Sequence, residues 1–139
     1  MEKLIETLAG LCIDLAYTTI KRLEDRFTVE SNYNYNDGYF QYDVCYYDYM
    51  DAEVDLDGNI LSASRRYGQE FWNGGGEMSG EISYKFGDPD WRPVNDKDVI
   101  QVVFDRADEI LALKPGEEIE ITREECSEYR RRNIFKEEV

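Results

Sequence analysis

From Phe27 to Ser64 the residues change character at every second position, and a period of two is the period of a β-strand. Phe27, Val29, Ser31, Tyr33 and Tyr35 alternate with Thr28, Glu30, Asn32 and Asn34, which predicts a first strand. Asn36-Asp37-Gly38 is a turn signal. A second strand is expected over about 39–49, with Phe40, Tyr42, Val44 and Tyr46 on one face and Tyr39, Tyr47 and Tyr49 on the other. Asp51–Asp57 reads as a third strand, and Ile60–Ser64, after Asp57-Gly58-Asn59, as a fourth. Short strands joined by tight turns form an antiparallel meander.

The flanks carry a different period. Leu4, Leu8, Leu11 and Leu15, with Ile5, Ala9, Cys12, Ala16, Ile20 and Leu23, make one wide apolar stripe at helical spacing. A first helix is therefore predicted near 3–24. Residues 66–80 read as a long flexible connection, with a possible fifth strand at 81–86. Asn95 is placed as the cap of a helix carrying Val99, Ile100, Val103, Phe104, Ala107, Ile110 and Leu111, which Lys114-Pro115-Gly116 stops. Ile119 and Ile121 mark a short strand. Thr122 and Glu125 have capping-box spacing ahead of a final helix near 123–133, and the last residues are expected to fray. The expected fold is α+β over residues 1–139 as a single domain. It comprises an N-terminal helix, an antiparallel β-meander of four to five strands, then helix, short strand and C-terminal helix.

Composition removes several chemistries. There is no histidine, so nucleophile–histidine systems and histidine-bearing zinc sites are excluded. Cys12, Cys45 and Cys126 are scattered without a Cys-x-x-Cys motif, and they read as reduced thiols in a cytoplasmic protein. The N-terminal stretch carries Glu2, Glu6 and Asp14, unlike a secretory signal, and no apolar run has the length of a membrane span. The net charge of −15 disfavours direct contact with nucleic acid or an anionic membrane and suits a basic protein partner. No catalytic motif and no cofactor motif is recognisable, and a non-enzymatic protein is expected.

Glu53, Asp55, Asp57 and Gly58 resemble the start of a calcium loop, but Ser64 stands where a bidentate glutamate is needed, and a hairpin turn explains the same residues. No metal site is expected. Asn73–Glu81, rich in glycine, lacks the Lys-Ser/Thr of a phosphate loop, and Glu77 and Glu81 would repel an anion. Arg130–Arg132 fit the end of the last helix, where cations favour the dipole.

The remaining signal lies in the strands. If Ala52, Val54 and Leu56 face the core, then Asp51, Glu53, Asp55 and Asp57 face outward, roughly 6.6–6.8 Å apart. Each adjacent pair then repels by about 0.6 kcal/mol even in water. Eight acids and no base lie between Phe27 and Ser64. Mimicry of a nucleic-acid strand would need Asp43 or Asp48 to join the row. With Tyr47 and Tyr49 beside them, Asp51, Glu53, Asp55 and Asp57 form the expected binding surface for a basic partner, a nucleic-acid-binding protein among the candidates. Homodimerisation through the tyrosine face is compatible with this. The competing expectation is a small-ligand or carbohydrate-binding module built on Trp72, Trp91 and the glycine-rich loop.

Overall fold

The computed structural model describes residues 2–39, 42–73 and 76–137, and their side chains except those of 37–39, 42–44, 71–73, 76–79 and 133–137. The chain is α+β, with helices on one face of a six-stranded antiparallel sheet. Helix α1 (Glu2–Gly10) precedes β1 (Tyr17–Arg22), β2 (Arg26–Tyr39), β3 (Tyr42–Asp55), β4 (Ile60–Asn73) and β5 (Gly76–Lys85). Then come α2 (Lys97–Asp105), α3 (Ala107–Leu111), β6 (Glu118–Ile121) and α4 (Arg123–Glu137). The strand order is β5-β4-β3-β2-β1-β6, so β1 to β5 form a consecutive meander and β6 adds to the β1 edge.

The expected helix over 3–24 stops at Gly10. Leu15 turns the chain with φ of 59°, and Tyr17–Arg22 is strand. Ala16 and Ile20 satisfy a helical stripe, but Thr18 and Ile20 also alternate with Tyr17 and Thr19, and both are fully buried. The aromatic and β-branched run Tyr17-Thr18-Thr19-Ile20 favours the extended form once β2 and β6 stand beside it.

The strands are also longer than their sequence periods suggested. The second and third expected strands are the single β3, and Asn36-Asp37-Gly38 lies within β2, paired with β3, instead of turning. Residues 40–41, between β2 and β3, lie outside the described residues, as do the side chains of Tyr39, Tyr42, Asp43 and Val44. Residues 66–73 complete β4 and 76–80 begin β5 instead of forming a loop, with Gly68 paired to Glu81; 74–75 lie outside the described residues. Glycine and polar residues weaken a strand signal, yet strand pairing on both sides overrides it.

One sheet face holds the core. Phe27, Val29, Ile20, Met50, Val54 and Ile121 are almost wholly buried beneath Leu4, Leu8, Val99, Val103 and Cys126. A buried hydroxyl pair lies within it. Thr18 Oγ1 and Ser31 Oγ are 2.8 Å apart, and Ser31 Oγ accepts the Ile13 N–H at 3.0 Å. That contact ties the α1–β1 loop to the sheet. The β3–β4 hairpin packs against α1 in the same way. Thr7 Oγ1 donates to Gly58 O at 2.8 Å, and a Cβ on Gly58, whose φ is 91°, would lie 2.8 Å from the Leu4 nitrogen.

Asp96, not Asn95, stands at the N-cap of α2. Asn95 has φ of 52°, and its N–H donates to Gly10 O at 3.1 Å. The helix breaks at Arg106, which leaves Phe104 partly exposed instead of inward-facing. The capping box forms as expected: the Glu125 N–H donates to Thr122 Oγ1 at 3.2 Å and the Thr122 N–H to Glu125 Oε2 at 2.9 Å. Arg130 stands in the middle of α4, which runs on to Glu137, and not in its last turn as expected. It donates to Asp14 and, at 2.6 Å, to Asp98, joining α4 to α2 and to the loop after α1. None of the described helices is long and apolar enough to cross a membrane.

Two predictions follow from these contacts. Ser31→Ala leaves the Ile13 N–H and the Thr18 hydroxyl without their partner, and urea unfolding should register a loss of about 1–3 kcal/mol. Among the described residues no side chain or backbone group hydrogen-bonds the buried Asp14 Oδ1. Burial raises the Asp14 pKa, outweighing the pull of Arg130, while Asp98 and Asp96 push it in the same direction as burial. The folded state then holds this proton more tightly than the unfolded chain. Its destabilising effect is complete above the folded pKa and vanishes below the unfolded value of about 3.9. Relative to Asp14→Asn, the wild type should gain stability as pH falls through that window, measured by paired denaturation curves. A flat difference would rule out the assignment.

Candidate functional site: the open face of the sheet

Among the described residues no helix or strand covers the sheet face away from the helices. The β3 register sends Tyr47, Tyr49, Asp51 and Glu53 to it, together with Glu30 and Thr28 of β2 and Ser62, Ser64 and Arg66 of β4. One transverse row crosses all six strands in the order Glu120, Thr19, Glu30, Asp51, Ser64, Lys85. Glu30 and Asp51 are exposed and directly opposed across β2 and β3. Opposed side chains on neighbouring strands are about 5 Å apart at Cβ, where two carboxylates repel by roughly 0.8 kcal/mol in water. Among the described residues neither has a cation within ion-pair distance. The short serine and threonine side chains around them leave a shallow depression of about 430 Å³, lined by Thr28, Glu30, Asp51, Glu53, Ser62, Ser64 and Lys85.

The expected ladder of four acids is real in its parity and weaker in its charge. Ala52 and Val54 face the core, and Asp51, Glu53 and Asp55 do not. Leu56, however, is 38% exposed, because β3 ends at Asp55 and the chain turns. Asp57 is therefore a turn residue, not a rung. Asp55 is occupied within that turn: Oδ1 accepts the N–H groups of Asn59 at 2.8 Å and Asp57 at 3.0 Å. These bonds, the Asn59 N–H foremost, lower its pKa. Glu53 has a counter-ion in Arg26 at 3.3 Å, a base just outside the acid-only stretch. Arg65 and the terminal arginines stay off this face. Arg65 holds Asp48 on the helix side with bonds of 3.0 and 2.7 Å, which removes Asp48 from any acidic row on the open face.

The two tyrosines are committed to their own sheet. Tyr47 is 9% exposed, stacks on Tyr49 with centroids 5.4 Å apart, and donates its hydroxyl to Glu81 Oε2 at 2.5 Å. Accepting that bond, Glu81 pushes the Tyr47 pKa up to about 12. The reach is possible because Gly68 lies between them and offers no side chain, so the ring covers the bare backbone. Tyr49 donates to Asn34 Oδ1 at 2.8 Å and carries the Arg66 guanidinium over its ring at 5.2 Å.

Trp72 and Trp91 are not brought together. Trp72 pairs with Glu77 near the start of β5, and its side chain lies outside the described residues. Trp91 follows the end of β5, edge-on to Phe86 at 6.1 Å. The intervening eight residues of strand span about 27 Å. A different concavity, about 580 Å³, opens on the helix side where Tyr33, Tyr46, Tyr67, Gln69 and Ile82 surround Gly68 and Gly80.

Of the three free cysteines, Cys12 and Cys126 lie in the core, whereas Cys45 is half-buried on the open face beside Tyr47, Tyr49 and Arg66. Burial drives the Cys12 and Cys126 thiols up to about 12 and about 11, so both stay protonated and unreactive. Among the described residues no group of three acids or cysteines is placed to hold a metal ion. The open face thus carries carboxylates, hydroxyls and one half-buried thiol. Glu30 and Glu120 were missed as site residues in the sequence reading. Both sit on the polar phase of predicted strands, and only the register shows that they align with Asp51.

Gly68 is the glycine this face depends on. A Cβ there would lie 2.1 Å from the Gly80 carbonyl oxygen. Gly68→Ala should therefore strip β5 from the sheet, read as loss of amide protection in β5 while β1, β2 and β3 keep theirs.

No protein-family model, no curated protein and no solved structure matches this chain.

Proposed function

We propose that the chain is a small non-enzymatic binding protein whose open sheet face receives a basic protein segment. The observation that carries this reading is the opposed pair Glu30 and Asp51, extended across β1 to Glu120 and uncompensated among the described residues. Three carboxylates against the single Lys85 at the end of the row raise the local negative potential, which speeds encounter with a cation and makes binding fall with salt. The floor of serine and threonine gives hydroxyls to a lysine or arginine side chain laid across the strands. Asp51 stays within the proposed surface, whereas Glu53 is already paired with Arg26. Tyr47 passes from contact residue to support, since its ring is already covered. A nucleic-acid-binding protein, whose basic surface such a row would occupy, is the finer form of this reading.

The test is affinity capture from lysate over a salt gradient, with the bound proteins identified by mass spectrometry. Wild type should retain proteins with basic surfaces and release them as salt rises. Glu30→Lys/Asp51→Lys should lose them at all salt concentrations while keeping the same unfolding free energy within about 0.5 kcal/mol, as surface changes do. An identical captured set from the double variant would overturn the reading.

A small-ligand or carbohydrate site is supported by the tyrosine-walled concavity of about 580 Å³ instead of by the two tryptophans. A saturable, salt-insensitive change in tyrosine fluorescence on adding oligosaccharides, abolished by Tyr67→Ala, would favour it over the basic partner.

A further inference from the structure

Strand β5 is the long edge of the sheet, ten residues against four in β6 at the other side. In an antiparallel ladder, alternate residues turn both backbone groups to the same neighbour. Phe86 donates its N–H to Ala63 O at 2.9 Å, and the β4–β5 register runs unshifted from Ser64 opposite Lys85 to Asn73 opposite Gly76. Even-numbered residues of β5 therefore pair with β4, and Glu81, Ser83 and Lys85 aim their backbone groups off the edge. The Lys85 N–H is taken by Asp88 Oδ2 at 2.9 Å, in agreement with that parity. No strand lies beyond Glu81 and Ser83 among the described residues. A long open edge of this kind is a template for strand addition.

We infer that β5 pairs antiparallel with β5 of a second copy of this chain, about a two-fold axis at Ser83. The register is chosen by three features that coincide only there. Glu81 and Lys85 share the open face, both exposed, but four residues of strand hold them about 13 Å apart, too far to pair within one chain. With the axis at Ser83, each Glu81 stands directly opposite the second copy's Lys85, and the pairing occurs twice by symmetry. Glu81 gives Oε2 to Tyr47 and keeps Oε1 for this contact. On the other face Ile82, 47% exposed, meets the second copy's Tyr84. Next to it, Phe86, also 47% exposed, meets the second copy's Gly80, where a Cβ would find nothing within 4 Å. An aromatic ring laid over a strand glycine is a stabilising cross-strand arrangement.

Other registers lose this agreement. An axis at Glu81 opposes that carboxylate to its own copy. An axis at Ile82 leaves Glu81 and Lys85 each facing a serine. The Ser83 register supplies four inter-chain backbone bonds, from Glu81 and Ser83 of each copy, with the Lys85 N–H kept by Asp88. The open faces of both copies then form one continuous surface. Lys85 ends the row that holds Glu30 and Asp51, but the inference does not rest on the basic-partner reading, since the pairing uses only the β5 edge and its test reads self-association.

Sedimentation velocity of the full chain at low salt, over a range of concentrations, tests it. Wild type should form a dimer in a concentration-dependent way. Glu81→Lys and Lys85→Glu each convert two attractive contacts into two repulsive ones, and each should weaken association about tenfold or more. The double variant Glu81→Lys/Lys85→Glu restores opposite charges in the same register and should recover most of the dimer. Because Glu81→Lys also removes the Tyr47 bond, the Lys85→Glu variant separates a fold defect from a pairing defect, with circular dichroism as control. A wild type that stays monomeric at its highest attainable concentration overturns the inference. So do single reversals that dimerise as wild type does, or a double variant no better than the singles.

Discussion

The strands of this protein are longer than the helices that cover them. β2, β3 and β4 each run fourteen residues, about 46 Å, whereas α1 and α2 are nine-residue helices of about 14 Å each. The helix layer therefore seals the part of the inner face around Phe27, Val29, Met50 and Val54 and leaves the far part open. The sheet must continue there without a second layer. Tyrosine suits such a position, because its ring gives contact area and its hydroxyl remains with water. Tyr35 stacks on Tyr46 and Tyr67 meets Tyr84, both at 6.3 Å between centroids. Arg65 lies over Tyr67 at 4.9 Å while gripping Asp48. These side chains form a thin covering in place of a core.

Among the described residues no helix covers the opposite face, where charge and the Tyr47–Tyr49 stack set the arrangement. Its polar residues fall into rows across the strands, so a carboxylate's neighbours come from strands remote in sequence. Glu30 meets Asp51 from the adjacent strand, while Glu53 finds Arg26. Repulsion of roughly 0.8 kcal/mol between an opposed pair is small against the burial beneath it. The core can therefore carry an electrostatically unfavourable row without losing the fold, and the row remains available to a cation.

Much of the architecture was legible in local patterns. The alternation from Phe27 onward fixed which side chains share a face, and Thr122 with Glu125 marked the start of α4 correctly. The misreadings have one origin. At Tyr17–Arg22 a helical stripe and a strand alternation share Ile20, and periodicity alone cannot separate them. At 66–80 the glycines that suggest a loop are needed inside the sheet, since Gly68 lets Tyr47 reach Glu81 and lets β5 approach. The acid ladder was right in parity and wrong in isolation, because Arg26 lies one residue before the acid-only stretch begins.

The sequence by itself determined the fold class, the inward and outward phases of the strands and the absence of histidine chemistry. Each of these depends on residue type or on spacing within one segment. Only the tertiary structure decided which acids stand together, which are neutralised, and where the sheet ends. Those are matters of strand register and of which edge is left unpaired. Register is set by contacts between residues tens of positions apart, and no local period encodes it.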